Sequence, residues 1–120
     1  MELPQDILKD VAARFQCLGE VVRLRILSRL LQGEANVTTL ARELEIGQAS
    51  VSKHLAVLRE NGFVAMHRQG VQMICRIDDD AVPELCALVC RKVVSTLQRD
   101  HDRFKQIEAE SPHVLPKKGD

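Results

Sequence analysis

The spacing of apolar residues changes at Gly62, and this change constrains the fold more than any other feature of the sequence. Before Gly62 the apolar residues recur at helical intervals, whereas residues 63–68 and 72–77 have the composition of two strands. Gly70 lies in the short connection between them, which is typical of a β-hairpin. The pattern therefore predicts a mostly helical chain that carries one small hairpin.

The segments before the hairpin predict a helix-turn-helix. The apolar spacing indicates four helices, near residues 7–18, 21–31, 38–45 and 48–60. The second has too many apolar residues for one narrow stripe and is expected to be the most buried helix. Thr38 or Thr39 is the expected cap of the third helix. The last two are short and are joined by a turn that contains Gly47, which makes a helix-turn-helix.

A long last helix follows the hairpin. Asp78 to Asp80 form a turn and an acidic helix start, and Pro83 is tolerated in the first turn. Its apolar stripe comprises Val82, Cys86, Val89, Val93, Leu97, His101 and Phe104. A stripe sustained over about 25 residues exceeds what one small domain needs, so part of it is expected to pack on a second copy. We predict a DNA-binding and dimerisation domain over residues 1–110 and a disordered tail over 111–120.

Composition limits the location of the protein. The chain has no uninterrupted apolar run of about 18 residues and no basic, apolar start typical of a secretion signal, so no membrane association is predicted. Its four cysteines lack the density and spacing of a secreted disulfide framework. Reduced thiols in a cytoplasm are therefore expected.

The charge is unevenly distributed. The formal net charge of zero argues mildly against a nucleic-acid partner. Between residues 47 and 77, however, four basic residues stand against one acidic residue, a net charge of plus three; they are Lys53, Arg59, Arg68 and Arg76 against Glu60. This local excess coincides with the predicted helix-turn-helix and hairpin.

Two segments resemble a known family. Residues 15–27 read FQCLGEVVRLRIL, and residues 46–64 read IGQASVSKHLAVLRENGFV. Both resemble the ArsR/SmtB family of bacterial metal- and stress-responsive repressors, and with the hairpin and last helix the similarity covers roughly residues 7–107. The resemblance implies a winged helix-turn-helix repressor, a homodimer through the first and last helices, that leaves a palindromic duplex DNA operator when an inducer acts.

The helix over residues 48–60 is the predicted recognition helix. Its polar face points away from the apolar residues and suits a major groove, where Gln pairs with adenine and Ser or Lys contacts base edges or phosphates. The predicted contacts are Gln48, Ser50, Ser52 and Lys53. His54 lies about 60° around the helix from Val51. It is therefore expected either to reach a base or to pack at the edge of the core.

The hairpin is the predicted wing. Arg68 and Gln69 near its tip are expected to contact phosphate or a minor groove, with a solubilising turn as the equal alternative. Arg42 and Arg59 are interpreted as solvated charges or phosphate contacts.

The inducer site is predicted from the cysteines. The family commonly places inducer ligands as cysteines on the third helix or as His, Asp and Glu on the last, and this chain departs from both patterns. Cys86 and Cys90 share one face of the last helix, and Cys17 ends the first helix, expected beside it. These thiolates suit a soft ion such as trivalent arsenic, or a thiol redox switch without a cofactor. The alternative is that they are small core residues.

Two other classes of function fit the sequence less well. No nucleophile with a positioned base, and no pair of carboxylates at a recognisable spacing, supports an enzyme. A winged-helix protein-interaction module without specific DNA binding is the better alternative, since the net charge is zero.

Overall fold

The computed structural model describes residues 2–110. Its elements follow one another as α1 (Gln5–Leu18), α2 (Val21–Leu30), β1 (Ala35–Asn36), α3 (Val37–Leu44), α4 (Gln48–Glu60), β2 (Val64–Gln69), β3 (Gln72–Ile77) and α5 (Ala81–Glu110). This order confirms the predicted mostly α fold with a small β-hairpin. The chain divides into two compact units, one reaching Val82 and the other beginning at Pro83. The predicted tail, 111–120, lies outside the described residues, and the single domain over 1–110 stays a prediction.

The hairpin is formed by β2 and β3. The strands are antiparallel with Gln69 opposite Gln72, so β2 reaches one residue further than expected and the loop is only Gly70–Val71. Gly70 has a φ of 64° at the first loop position. A tight hairpin turn of this kind requires positive φ there, which glycine adopts without strain.

A short strand, β1, was not predicted. It pairs with β3, with Ala35 opposite Cys75 and Asn36 opposite Ile74, and produces a sheet with the order β1-β3-β2. Two residues are too few for an alternating pattern to be visible in the sequence. The strand joins the start of α3 to the sheet that carries the wing.

The core of the unit that ends at Val82 lies between α2, α3, α4 and the sheet. Its most completely buried side chains are Ile26, Leu27, Leu40, Val51, Leu55, Leu58 and Cys75. Full burial of a side chain such as Leu or Val stabilises a fold by about 1.5–3 kcal/mol. Three of the seven come from α4, so this helix is held by its apolar face.

Burial of α2 is one-sided. Ile26, Leu27 and Leu30 are buried, but Val21 is 69% and Leu24 is 42% exposed. Three of its ten residues are buried, a larger share than in any other described helix, so α2 is the most buried helix as predicted. Neighbouring elements of the same unit nevertheless cover only one side of it.

The start of α3 corrects the predicted cap. Asn36, rather than Thr38 or Thr39, is the N-cap, and its side-chain oxygen accepts the Thr39 N–H at 2.7 Å. The helix therefore begins at Val37, and Thr38 is exposed. The other end stops at Glu45, whose φ of 55° and ψ of 47° are left-handed.

The α5 helix is longer than expected, at 30 residues. The Asp79 carboxylate accepts the Ala81 N–H at 2.8 Å at its start, and Pro83 follows in the first turn as predicted. Val89, Val93 and Leu97 are all more than half exposed. Within residues 2–110, no helix is both long and apolar enough to cross a membrane.

We predict that Glu45→Gly stabilises the protein. Glu45 is the one non-glycine residue with positive φ in the described chain. Removing its side chain relieves the left-handed strain and should raise the free energy of unfolding by about 0.5–1 kcal/mol, measured by urea titration. The reverse exchange, Gly62→Ala at a φ of 80°, is the matched control and should lower the free energy of unfolding. A loss of stability in Glu45→Gly would contradict the prediction.

Candidate nucleic-acid interface

The candidate recognition helix α4 has the bounds predicted from the sequence, Gln48–Glu60. Val51, Leu55 and Leu58 have no exposed surface, whereas Ser52 and Lys53 are exposed. Gly47 supplies no side-chain cap, so N–H groups of the first turn stay open to water or phosphate. The helix thus presents a polar face that the core holds outward.

The predicted base-contacting residues differ in their surroundings. Gln48 is exposed, and its Nε2 lies 3.4 Å from Thr38 Oγ1, which links the start of α4 to α3. Ser50 is half-buried. Gln48, Ser52 and Lys53 therefore form the accessible part of the predicted set.

His54 lies at the edge of the core. It is half-buried, and its Nδ1 is 3.2 Å from Arg23 Nη1 and 3.9 Å from Glu20 Oε2 at the start of α2. Of the two positions expected for this residue, the structure shows the packed one.

The wing carries exposed polar and cationic side chains. Arg68 and Gln69 are exposed at the end of β2, and Val71 at the tip is 97% exposed. The four basic residues between 47 and 77 are all exposed as well. The local net charge of plus three is therefore a property of the surface.

A groove of about 410 Å³ separates the recognition helix from the wing. It is lined by Asn36, Val37, Thr38, Gln48, Ser52, Val71, Gln72 and Met73. Thr38 and Gln72 were not among the predicted contacts. Asn36 is the sequence signal that could have found Thr38. With Asn36 as the cap of α3, the Thr38 hydroxyl has no capping role and is exposed beside the recognition helix.

The four cysteines occupy different environments. Burial raises the pKa of the Cys17 thiol, and nearby Arg23 partly offsets this rise. The Cys17 thiol donates to the Val57 carbonyl oxygen at 3.8 Å. Burial raises the pKa of Cys75 to about 11. Burial and then the neighbouring Cys90 raise the pKa of half-buried Cys86, while Cys90 is exposed. Within residues 2–110, no three His, Cys, Asp or Glu side chains gather as metal ligands.

Comparison with known proteins identifies the family. Residues 20–65 match the model of the bacterial regulatory proteins of the arsR family. The biofilm growth-associated repressor of Xylella fastidiosa is 34% identical over 76 residues, which are 63% of this chain and 67% of that protein. The chain belongs to the ArsR family.

Solved structures agree with the ArsR-family assignment. The homodimeric winged helix-turn-helix DNA-binding domain of a possible ArsR-family regulator from Mycobacterium bovis has a TM-score of 0.70 and 32% identity, over 81% of this chain and 88% of that one. Rv0081 from Mycobacterium tuberculosis has a TM-score of 0.69 and 34% identity, over 83% and 98%. This ArsR-family chain is a winged helix-turn-helix DNA-binding regulator.

The exposed face of α4 yields a prediction about specificity. On a duplex selected from a random library with the parent protein, Gln48→Ala or Ser52→Ala should cost about 1–3 kcal/mol of binding and less on random sequence. Arg68→Ala should weaken both duplexes alike, because a phosphate contact carries no sequence information. Fluorescence anisotropy at several salt concentrations measures these effects.

Glu60→Gln is the control, since it removes an exposed charge at the end of α4. It should not weaken binding. Unchanged affinity in a folded Ser52→Ala variant would show that another face reads the DNA.

Proposed function

We propose that this ArsR-family regulator is a cytoplasmic repressor whose dimer binds a palindromic operator, rather than an enzyme or a docking module. The exposed polar face of α4, held outward by three buried side chains beside a groove that also reaches the wing, carries the proposal. Gln48, Ser52 and Lys53 would enter the major groove, and Arg68 and Gln69 would contact the backbone or minor groove. Steep loss of affinity with salt is expected of such binding, and a docking module would lack it.

The proposed dimer accounts for apolar surface on two helices. On α1, Ile7, Leu8 and Phe15 are between 45% and 61% exposed, and on α5 the stripe through Val93 and Leu97 is also exposed. Exposed apolar side chains that recur along one face of a helix favour an interaction site there. A second copy is the occupant we propose, because a symmetric dimer presents two recognition helices to a two-fold operator.

Introducing charge into the α5 stripe should break the dimer. We expect Val93→Glu/Leu97→Glu to give a folded monomer with weakened DNA binding, since two buried carboxylates would lack partners. Light scattering after size-exclusion chromatography measures the mass. Ser95→Glu, about 200° around the helix from Val93, is the matched control and should stay dimeric. A parent protein that is monomeric at micromolar concentration would contradict the proposal.

We further propose that Cys86 and Cys90 sense the inducer. They are four residues apart on α5, hence on one face, and within about 60° of Val93 on the proposed dimer stripe. An event at these thiols would therefore act on the interface that spaces the two recognition helices. We assign Cys17 and Cys75 to the core in this proposal, because both are buried.

Thiolate ligation suits the pair better than a redox switch. The pKa of Cys86 is raised by burial and by Cys90, and a thiol is a poor nucleophile toward oxidants while it stays protonated. A bound soft cation removes the repulsion between two thiolates and deprotonates them outright. Trivalent arsenic is an ion of this class.

Arsenite should release the reduced protein from DNA, and Cys86→Ser/Cys90→Ser should abolish that release. Peroxide and polysulfide form the second arm and should release the DNA more slowly than arsenite at neutral pH, because the thiolate is the nucleophile and the raised pKa of Cys86 favours its protonated form. Cys75→Val is the matched control and should respond like the parent, because its thiol is buried. If the double variant still leaves the DNA with the agent that releases the parent, the sensor lies elsewhere.

A further inference from the structure

A polar cluster lies at the edge of the core beside the recognition helix. Arg23 Nε donates to the Cys17 carbonyl at 2.6 Å, at the end of α1, and Arg23 Nη1 lies 3.2 Å from His54 Nδ1 on α4. Glu20, the N-cap of α2, accepts the Arg23 N–H at 2.9 Å. One guanidinium therefore joins the end of α1, the start of α2 and the middle of α4.

The chemistry of the cluster limits which tautomer of His54 can bond to Arg23. A guanidinium has only donors, so the contact is a hydrogen bond when His54 Nδ1 accepts, which requires the tautomer with its proton on Nε2. Glu20 Oε2 is 3.9 Å from Nδ1, too far for a hydrogen bond. Arg23 is therefore the hydrogen-bond partner of the ring in this arrangement.

The position of His54 on α4 places this contact next to the proposed DNA-reading residues. His54 directly follows exposed Lys53 and lies two residues after Ser52. The apolar contacts of Val51, Leu55 and Leu58 hold α4 on the core, but such contacts are non-directional. A hydrogen bond has a preferred direction and resists rotation of the helix about its axis.

We propose that Arg23 is a positioning residue, which acts through His54 to set the rotation of the recognition helix against the core. The proposal rests on the proposed DNA-reading face of α4. Arg23 is suited to this role because its planar fork addresses two acceptors on different helices at once, which a lysine cannot do with the same geometry.

A double-mutant cycle tests the proposal on the selected duplex. Arg23→Gln and His54→Ala should each weaken binding about tenfold, and the double variant should bind no more weakly than either, because both remove one shared interaction. His54→Asn, whose side-chain oxygen supplies an acceptor near the position of Nδ1, should restore most of the affinity. Arg99→Gln loses the same charge from an exposed side chain on the face of α5 that carries Ser95, away from the proposed dimer stripe, and should bind like the parent.

Two further measurements separate positioning from general destabilisation. Binding is measured at a temperature at which thermal unfolding shows every variant to be folded. If Arg23→Gln is not folded there, Arg23→Lys takes its place in the cycle. Ring ¹⁵N spectra of the parent should show the Nε2–H form of His54, and Arg23→Gln should lose this preference.

Each outcome of the cycle either supports or overturns the proposal. Additive losses, about a hundredfold in the double variant, would show that Arg23 acts apart from His54 and overturn the proposal. Unchanged binding in both single variants, with Ser52→Ala still impaired, would also overturn it but leave α4 as the reading helix. If Ser52→Ala binds normally too, the reading face itself is wrong.

Discussion

The rest of the interface depends on the complete burial of Val51, Leu55 and Leu58. These side chains bring the inner face of α4 into the core with α2, α3 and the sheet, and they have no exposed surface. Because an α-helix turns by about 100° per residue, burying one face determines which residues point outward. Ser52 and Lys53 are exposed as a direct consequence.

Hydrophobic burial and polar contacts have different parts in placing this helix. Burial supplies most of the stability, but it tolerates small rotations of a helix on its neighbours. Two directional contacts join α4 to its neighbours: the contact from Gln48 to Thr38 on α3, and the contact from Arg23 on α2 to His54. They lie at the start and middle of the helix, where the proposed base contacts are.

The proposed signalling route uses the surface that the single chain leaves uncovered. An inducer can shift an equilibrium between two states only by its difference in affinity for them. Under the proposal, Cys86 and Cys90 lie on the stripe of α5 that meets the second copy. Ligation there would favour one spacing of the two recognition helices over another without any contact to DNA.

The local pattern of residues along the sequence determined many of the helices and strands of this protein. Helical spacing and the glycines at 47, 62 and 70 predicted the helix-turn-helix, the bounds of α4 and the hairpin, because these elements form from neighbours in sequence. The β1 strand, the Asn36 cap and the half-covered α2 were missed. A two-residue strand exists only through its pairing with β3, and one-sided burial depends on which elements a fold brings to a helix. Only the tertiary structure decided that Arg23 meets His54, 31 residues apart in sequence. No sequence spacing encodes a hydrogen bond between two helices that meet only when the core forms.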